Sequence, residues 1–192
     1  MQIIDNGKSS WLSLSLEGKG TNRLIKDLKI SGNDIERRHR DKIKNCFRSS
    51  PYFDEVIKTF DEAWEKPDYA SELIIRSAEV ICSRIGICLP KQLRSSSLNV
   101  SLTGSARVQK LVEMVGGDMY LTGHGAKGYL DHNSFNRANI DVFYMVYESK
   151  VWPQASREFT PYVTSLDLIA NVGPDHRETY LSRHHTYWEN VV

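Results

Sequence analysis

A glycine-rich segment, residues 120–130, has residue types and spacing that can bind a phosphate. Gly123, Gly125 and Gly128 follow a short apolar stretch, and Lys127 lies between the last two glycines. Glycines let backbone N–H groups approach an anion closely, and a lysine adds positive charge. The Walker pattern GxxxxGK[ST] is absent. The match to GxGxxG is only formal, because no clear strand–helix unit with a following acidic residue is present. Spacing alone therefore favours a tight turn over a phosphate-binding loop.

His124 lies inside this segment, where an imidazole can act as a general acid or base near neutral pH. The other histidines form no metal-binding pattern. His184 and His185 are adjacent, so neither a helix nor a strand points both side chains in one direction. The zinc-type spacings, including HExxH, are absent. The sequence therefore predicts no metal site, and it identifies no cofactor.

A run of three serines at 95–97 precedes a predicted helix at 107–115. The nucleophile motif GxSxG is absent, so the run does not indicate a catalytic serine. It is typical either of a Ser-rich turn or of a hydroxyl cluster that binds phosphate or sugar.

The middle of the chain, which must help to position these residues, is predicted to be helical. Apolar residues recur at helical spacing over 35–47, 52–64 and 73–85. The third helix is expected to end at Gly86 in a left-handed cap. A further helical turn is expected at 166–171.

Strands are predicted around this helical region. Residues 11–16 alternate strictly between apolar and polar, as a half-buried strand does. Short apolar runs predict further strands at 24–30, 119–122 and 140–147. Together the elements predict an α/β fold, a Rossmann-like layered sheet with the helical segment 33–86 packed on it.

Charge and length set further bounds on function. The 192 residues include 25 Lys and Arg against 24 Asp and Glu, a formal net charge of +1. A general electrostatic attraction to nucleic acid or to an anionic membrane is therefore not expected. No apolar run can span a membrane, no secretory signal is visible, and the three cysteines lack CxxC spacing. We expect a cytoplasmic protein with a single domain over residues 1–192.

An ordered set of short motifs runs over nearly the whole chain. The motifs are Trp11-Leu12-Ser13, His39 and Ile43 before Ser50-Pro51-Tyr52-Phe53, Ser96-Ser97-Leu98, Arg107, the glycine-rich segment, Pro153-Gln154, Phe159, Pro161 and residues 165–173. Each motif is weak alone, but their order and spacing are specific, and together they resemble the WbqC-like family.

The resemblance implies a cytoplasmic bacterial protein of surface-polysaccharide biosynthesis, often of O-antigen. It also implies a nucleotide-linked amino sugar as substrate, modified by transfer of an acyl or aminoacyl group. A nucleotide sugar or another small molecule is thus the expected ligand, and neither nucleic acid nor membrane is an expected partner.

The resemblance also changes how individual residues are interpreted. The glycine-rich segment becomes a ligand-binding loop, and His124 within it and the later Asp167 become candidate catalytic groups. The candidate substrate-binding residues are Ser96, Ser97, Arg107, Gly123, Gly125, Lys127, Tyr129 and Gln154. Two alternatives stay open at this point. Arg107 is either an anion contact or a surface charge on a helix, and Asp167 either orients substrate or caps the helix that starts near residue 165.

One expected family feature is absent from the sequence. Family members usually carry an HQPxYFP segment ahead of the tryptophan strand, and no HQP motif occurs here. The domain is therefore expected to be short at its N-terminal end. The alternative function is that of a non-catalytic homologue, which forms a homo-oligomer or binds another enzyme of the pathway and completes its sheet there.

Overall fold

A computed structural model describes residues 1–18, 22–65, 67–156 and 158–191. The described residues form a mixed α/β fold with seven α-helices and two small sheets. The elements in chain order are β1 (Gln2–Asp5), β2 (Lys8–Trp11), α1 (Ile35–Phe47), α2 (Phe53–Ala63), α3 (Ala70–Arg84), α4 (Gly104–Met114), β3 (Met119–Thr122), α5 (His132–Arg137), β4 (Asp141–Val146), α6 (Ser165–Asn171), α7 (Pro174–Arg177) and β5 (His184–Tyr187).

The chain divides into two compact units. Unit 1 comprises Met1–Pro90 and Lys150–Leu181, and unit 2 comprises Lys91–Ser149 and the segment from Ser182 onward. The prediction of a single family domain over the whole chain is not tested by this division and stays a prediction.

Unit 1 is built around its helices. The buried residues of α1 are Ile35, Ile43 and Phe47, and those of α2 include Val56 and Phe60. They recur at the spacing of one helix face, which is the pattern expected of a helix that buries a stripe. Helix α6 is buried from Leu166 to Ala170 and joins the same core. The predicted helices at 35–47, 52–64, 73–85 and 166–171 are confirmed within one to three residues at their ends.

A hairpin of β1 and β2 opens unit 1. The two strands pair antiparallel from Gln2↔Trp11 to Asp5↔Lys8. Asn6 and Gly7 connect them with φ of 49° and 75°, the left-handed conformations of a two-residue type I′ turn. This hairpin places Ile3 and Ile4 in the buried interior.

Unit 2 contains a three-stranded sheet in the order β3-β4-β5. β3 and β4 are parallel, with Met119 opposite Asp141 and Thr122 opposite Tyr144, and β5 pairs antiparallel with β4. Parallel neighbours require a crossover connection, which here contains α5. Phe135 of α5 and Val142 and Tyr144 of β4 are fully buried in the core of this unit.

Two strand predictions are wrong in their extent. Residues 12–15 are not in a strand, because β2 ends at Trp11. Their burial still alternates, since Leu12 is buried and Ser13 and Ser15 are exposed. At 24–30 the chain forms a 3-10 turn, Ile25–Asp27, followed by two isolated bridges. The alternating pattern correctly indicated which side chains are buried, but a strand also needs a partner along its length, and none runs beside these residues in the described structure.

The predicted strands at 119–122 and 140–147 and the helix at 107–115 are confirmed as β3, β4 and α4. The mixed α/β class is confirmed as well, whereas the Rossmann-like layering stays a prediction. In the described part of the chain, no helix combines the length and apolar character needed to cross a membrane.

Candidate functional site

The glycine-rich segment follows β3, at the end of the unit 2 sheet where the carboxyl ends of both parallel strands lie. β3 ends at Thr122 and β4 ends at Val146. The chain then forms one turn of 3-10 helix, His124–Ala126. Open sheets with parallel strands bind ligands preferentially at the carboxyl ends of those strands. The fold therefore places the predicted loop at the edge where a ligand is expected.

His124 is exposed and is held in a defined orientation. Its Nε2 lies 3.0 Å from the carbonyl oxygen of Met145. A carbonyl can only accept, so Nε2 carries the proton and Nδ1 carries the lone pair of the neutral ring. The rings of Tyr144 and Tyr147 lie 6.0 and 6.3 Å from the imidazole centroid. The basic nitrogen of His124 is thus available at the edge of the sheet.

The turn also contains backbone N–H groups without an acceptor. The N–H groups of Ala126 and Lys127 donate to Gly123 and His124 within the turn. Those of His124 and Gly125 have no acceptor among the described residues. A Cβ added at Gly125 would meet no atom within 4 Å. This combination of unpaired donors and open space suits the approach of an anion.

The two other predicted residues of the segment differ in their contacts. Lys127 Nζ donates to the carbonyl oxygen of Val191 at 3.2 Å, which ties the turn to the C-terminal segment. Tyr129 is exposed. Gly123, His124, Gly125, Lys127 and Tyr129 therefore occupy one turn, as their sequence positions require.

A second histidine belongs to this neighbourhood and was not a sequence candidate. His132 Nε2 lies 2.8 Å from the hydroxyl oxygen of Tyr144, and its ring stacks on Trp188 at 4.6 Å and 17°. Tyr144 is fully buried, and this burial raises the pKa of its phenol. Trp188 Nε1 is buried without a hydrogen-bond partner among the described residues. The sequence signal for this cluster was weak, because its members lie on α5, β4 and the C-terminal segment.

The predicted Ser96, Ser97 and Arg107 form a different group within unit 2. The serines lie in a 3-10 turn, where the Ser97 hydroxyl donates to the carbonyl oxygen of Arg94 at 2.7 Å. Arg107 donates to the carbonyl oxygens of Val100 and Ser95. The guanidinium thus binds the loop that contains the serines, and an anion would have to compete with those carbonyls. The anion-binding role of Arg107 stays a prediction.

Asp167 and Gln154 lie together in unit 1. Asp167 is 1% exposed and accepts a hydrogen bond from Trp152 Nε1 at 2.8 Å. Burial raises the pKa of this carboxyl, against the effect of hydrogen bonds from Trp152 and Gln154. Gln154 also exchanges two hydrogen bonds with the backbone of Thr160.

The alternative in which Asp167 caps α6 is wrong. The N-cap is Thr164, whose side chain accepts from the N–H of Leu166. Asp167 instead stands in the first turn of α6 and turns its carboxylate to the indole of Trp152. Its catalytic role stays a prediction, as does that of His124.

Comparisons with known proteins place the chain among relatives. The model of a family described as the WbqC-like protein family matches residues 1–179. An uncharacterized protein of Mycobacterium tuberculosis is 25% identical over 174 residues, which cover 86% of this chain and 73% of that protein. No solved structure matches the chain.

Proposed function

Because the chain belongs to the WbqC-like protein family, we propose that it acts in bacterial surface-polysaccharide biosynthesis, on a nucleotide-linked amino sugar. The proposed reaction transfers an acyl or aminoacyl group to the amino group of that sugar, in the cytoplasm. The substrate is a small molecule, and the near-neutral net charge of +1 gives no reason to expect a nucleic acid partner.

The observation that carries this proposal is the chemistry gathered at the carboxyl ends of β3 and β4. The unpaired N–H groups of His124 and Gly125 and the ammonium group of Lys127 suit the phosphates of a nucleotide sugar. The open space over Gly125 lets the phosphates approach the backbone. In this arrangement the nucleotide part of the substrate binds at the turn.

The hydrogen bond of the His124 ring supports its proposed role as a general base in amide formation. Its Nε2 is committed to the Met145 carbonyl, which leaves Nδ1 to accept a proton. As the amine nitrogen of the sugar bonds to the acyl carbon, the nitrogen loses a proton to Nδ1 and the activating group leaves with the acyl–donor electron pair. The ring of Tyr147 lies 6.3 Å from the imidazole of His124.

Binding of UDP-, dTDP- and GDP-linked amino sugars tests the proposal. We expect one of them to bind in a calorimetric titration and to raise Tm, because a ligand of the folded state stabilises that state. Gly125→Val should abolish the binding, since its side chain fills space that the fold leaves empty. Lys127→Gln should weaken binding by about tenfold, the cost of one charge-assisted hydrogen bond.

Lys110→Gln is the matched control, because Lys110 is an exposed lysine of α4 in the same unit. It should bind the sugar as the wild type does. The proposal fails if none of the three nucleotide sugars stabilises the wild type, or if Gly125→Val is stabilised equally.

The second candidate function is that of a non-catalytic partner. It is favoured by the free edge of β3, which pairs with no second strand in the described structure. On this edge strand, Met119 and Leu121 are 52% and 47% exposed, and open edges with exposed apolar side chains pair with other chains. Sedimentation should then show a dimer that Leu121→Lys converts to a monomer. A wild-type monomer that turns over a nucleotide sugar rules this function out.

A further inference from the structure

Unit 1 contains a cavity of about 200 Å³ whose wall is largely apolar. Helices α1, α2 and α3 contribute to it, and its apolar lining includes Phe60, Trp64, Leu73, Ile81 and Leu166. An apolar cavity of about 150 Å³ can stay dry and bind benzene. The unit 1 cavity is therefore large enough for a small aromatic or branched aliphatic group.

His39 supplies a polar position on this wall. Its Nε2 lies 3.1 Å from the carbonyl oxygen of Ser13, so Nε2 carries the proton and Nδ1 is the acceptor of the neutral ring. Burial lowers the pKa of His39, and Arg38, Lys42 and the terminal amino group lower it further, whereas the bond to Ser13 raises it. The ring also meets Trp64 edge-on at 5.9 Å. Nδ1 has no hydrogen-bond partner among the described residues.

The two hydroxyl groups of the cavity already donate their protons. Thr59 donates its hydroxyl proton to the carbonyl oxygen of Glu55, and Ser77 donates to that of Ile74. The amino group of Met1 donates to the carbonyl oxygen of Leu12. No Asp, Glu, Lys or Arg side chain is among the described residues that line the cavity. The described lining thus offers His39 Nδ1 as a hydrogen-bond acceptor and holds no charged side chain, and its one charged group is the terminal amino group that is hydrogen-bonded to Leu12.

We propose that this cavity is a second ligand site, which binds a small uncharged molecule with an aromatic or branched aliphatic body and one hydrogen-bond donor directed at His39 Nδ1. An uncharged ligand matches a wall without charged side chains, because burying a charge without a partner is costly. A donor on the ligand matches His39 Nδ1, which has no hydrogen-bond partner among the described residues. This site lies in unit 1, whereas the proposed nucleotide-sugar site lies in unit 2.

Indole and 1-methylindole are suitable probes, since they share one aromatic body and only indole has an N–H donor. We expect both to bind the full chain in calorimetric titrations and to shift amide resonances of α1–α3 in heteronuclear NMR spectra. Indole should bind about fivefold more tightly, the typical effect of one hydrogen bond. His39→Phe keeps a ring at this position and removes both nitrogens, so indole should bind this variant no better than 1-methylindole.

Two variants test the location of the probes. Ala63→Leu fills the cavity from α2, and Ser77→Leu fills it from α3, so that one informative variant remains if the other does not fold. Each should abolish binding of both indoles. Ala78→Leu makes the same kind of change at an exposed position of α3 and should leave binding unchanged.

The proposal is overturned if neither indole binds the wild type, if the two bind equally, or if the folded filling variants still bind them. None of these outcomes bears on the nucleotide-sugar titrations, because those depend on Gly125 and Lys127. The two proposals can therefore fail separately.

Discussion

At the scale of single residues, Arg177 organises much of unit 1 although no motif pointed to it. It is fully buried and binds both carboxylate oxygens of Glu55, at 2.7 and 2.6 Å. Its remaining hydrogen bonds go to the carbonyl oxygens of Val172, Arg84 and Ile169, each at 2.9 Å. A planar guanidinium with five donors can satisfy so many acceptors at once, which an ammonium cannot. Arg177 thereby joins α2, α3, α6 and α7.

Replacing the partner of this buried cation should be costly. We expect Glu55→Gln to lower the free energy of unfolding by about 3 kcal/mol, because it leaves the Arg177 charge buried without a counter-charge. Removing one partner of a buried ion pair usually costs about 3–5 kcal/mol, and the low end applies here because the Glu55 side chain is 27% exposed. Urea unfolding followed by circular dichroism measures the change.

Asp61→Asn is the matched control for this prediction. Arg40 binds Asp61 through two hydrogen bonds of 2.6 and 2.7 Å, a geometry similar to that of the buried pair. The Arg40 and Asp61 side chains are 31% and 43% exposed, and solvent-exposed pairs contribute less than about 1 kcal/mol. Similar losses in the two variants would show that burial is not what makes the Glu55–Arg177 pair important.

At the scale of elements, the end of α3 is determined by local backbone chemistry. Gly86 has φ of 82°. Its N–H donates to the carbonyl oxygen of Ser83, and that of Ile87 donates to Cys82. These two bonds form the Schellman motif, in which a glycine in the left-handed region ends the helix. The sequence prediction of a left-handed cap at Gly86 is therefore confirmed.

A side chain at position 86 should cost only the strain of the left-handed backbone, because an added Cβ meets no atom within 4 Å. We expect Gly86→Ala to lower the free energy of unfolding by about 1 kcal/mol. Gly125→Ala adds a Cβ into equally open space without a positive φ, so it should change stability by less than about 0.5 kcal/mol. Thermal unfolding of both variants checks this, and an equal loss would contradict the role given to φ.

At the scale of the whole molecule, the perturbed groups predict how stability depends on pH. Hydrogen bonds from Arg177 lower the pKa of Glu55, and those from Arg40 lower the pKa of Asp61. A carboxyl with a lowered folded pKa stabilises the protein above its unfolded pKa, and this stabilisation is lost as pH falls through the folded value. Burial lowers the pKa of His39, so its protonation also opposes folding as pH falls below 6.5. These three groups predict a loss of stability in acid.

Asp167 acts in the opposite direction. Burial raises its pKa above the usual value of 3.8, so its contribution to stability is present below that value and is lost as pH rises through the folded pKa. Asp167→Asn keeps an acceptor for Trp152 and removes the buried charge. The free energy of unfolding of this variant should therefore increase relative to that of the wild type as pH rises from about 4, the pKa of an ordinary carboxyl, to about 7.

Unfolding free energies from urea titrations at several pH values measure this difference between variant and wild type. A stability difference that does not vary with pH would mean that Asp167 titrates as an ordinary carboxyl. A difference that becomes less favourable to the variant would mean that the hydrogen bonds from Trp152 and Gln154 outweigh burial.

The sequence by itself determined the elements whose signals are local. The apolar stripes of α1 to α3, the cap at Gly86 and the strands β3 and β4 depend on residues within a few turns of one another, and all appear in the structure. The Asn6-Gly7 pair is an equally local signal, typical of a two-residue hairpin turn. The position of the glycine-rich turn directly after β3 was also predictable, because it requires only the end of that strand.

Only the tertiary structure decided which distant residues meet. Arg177 and Glu55 are 122 positions apart, and His132 meets Tyr144 and Trp188 across three separate segments. Residues 12–15 show the same limit, since their alternation indicates one buried face but cannot supply a partner strand. Periodicity reports the local backbone and the direction of burial. Hydrogen-bond and ion-pair partners depend on how the elements pack, and that information is spread over the whole unit.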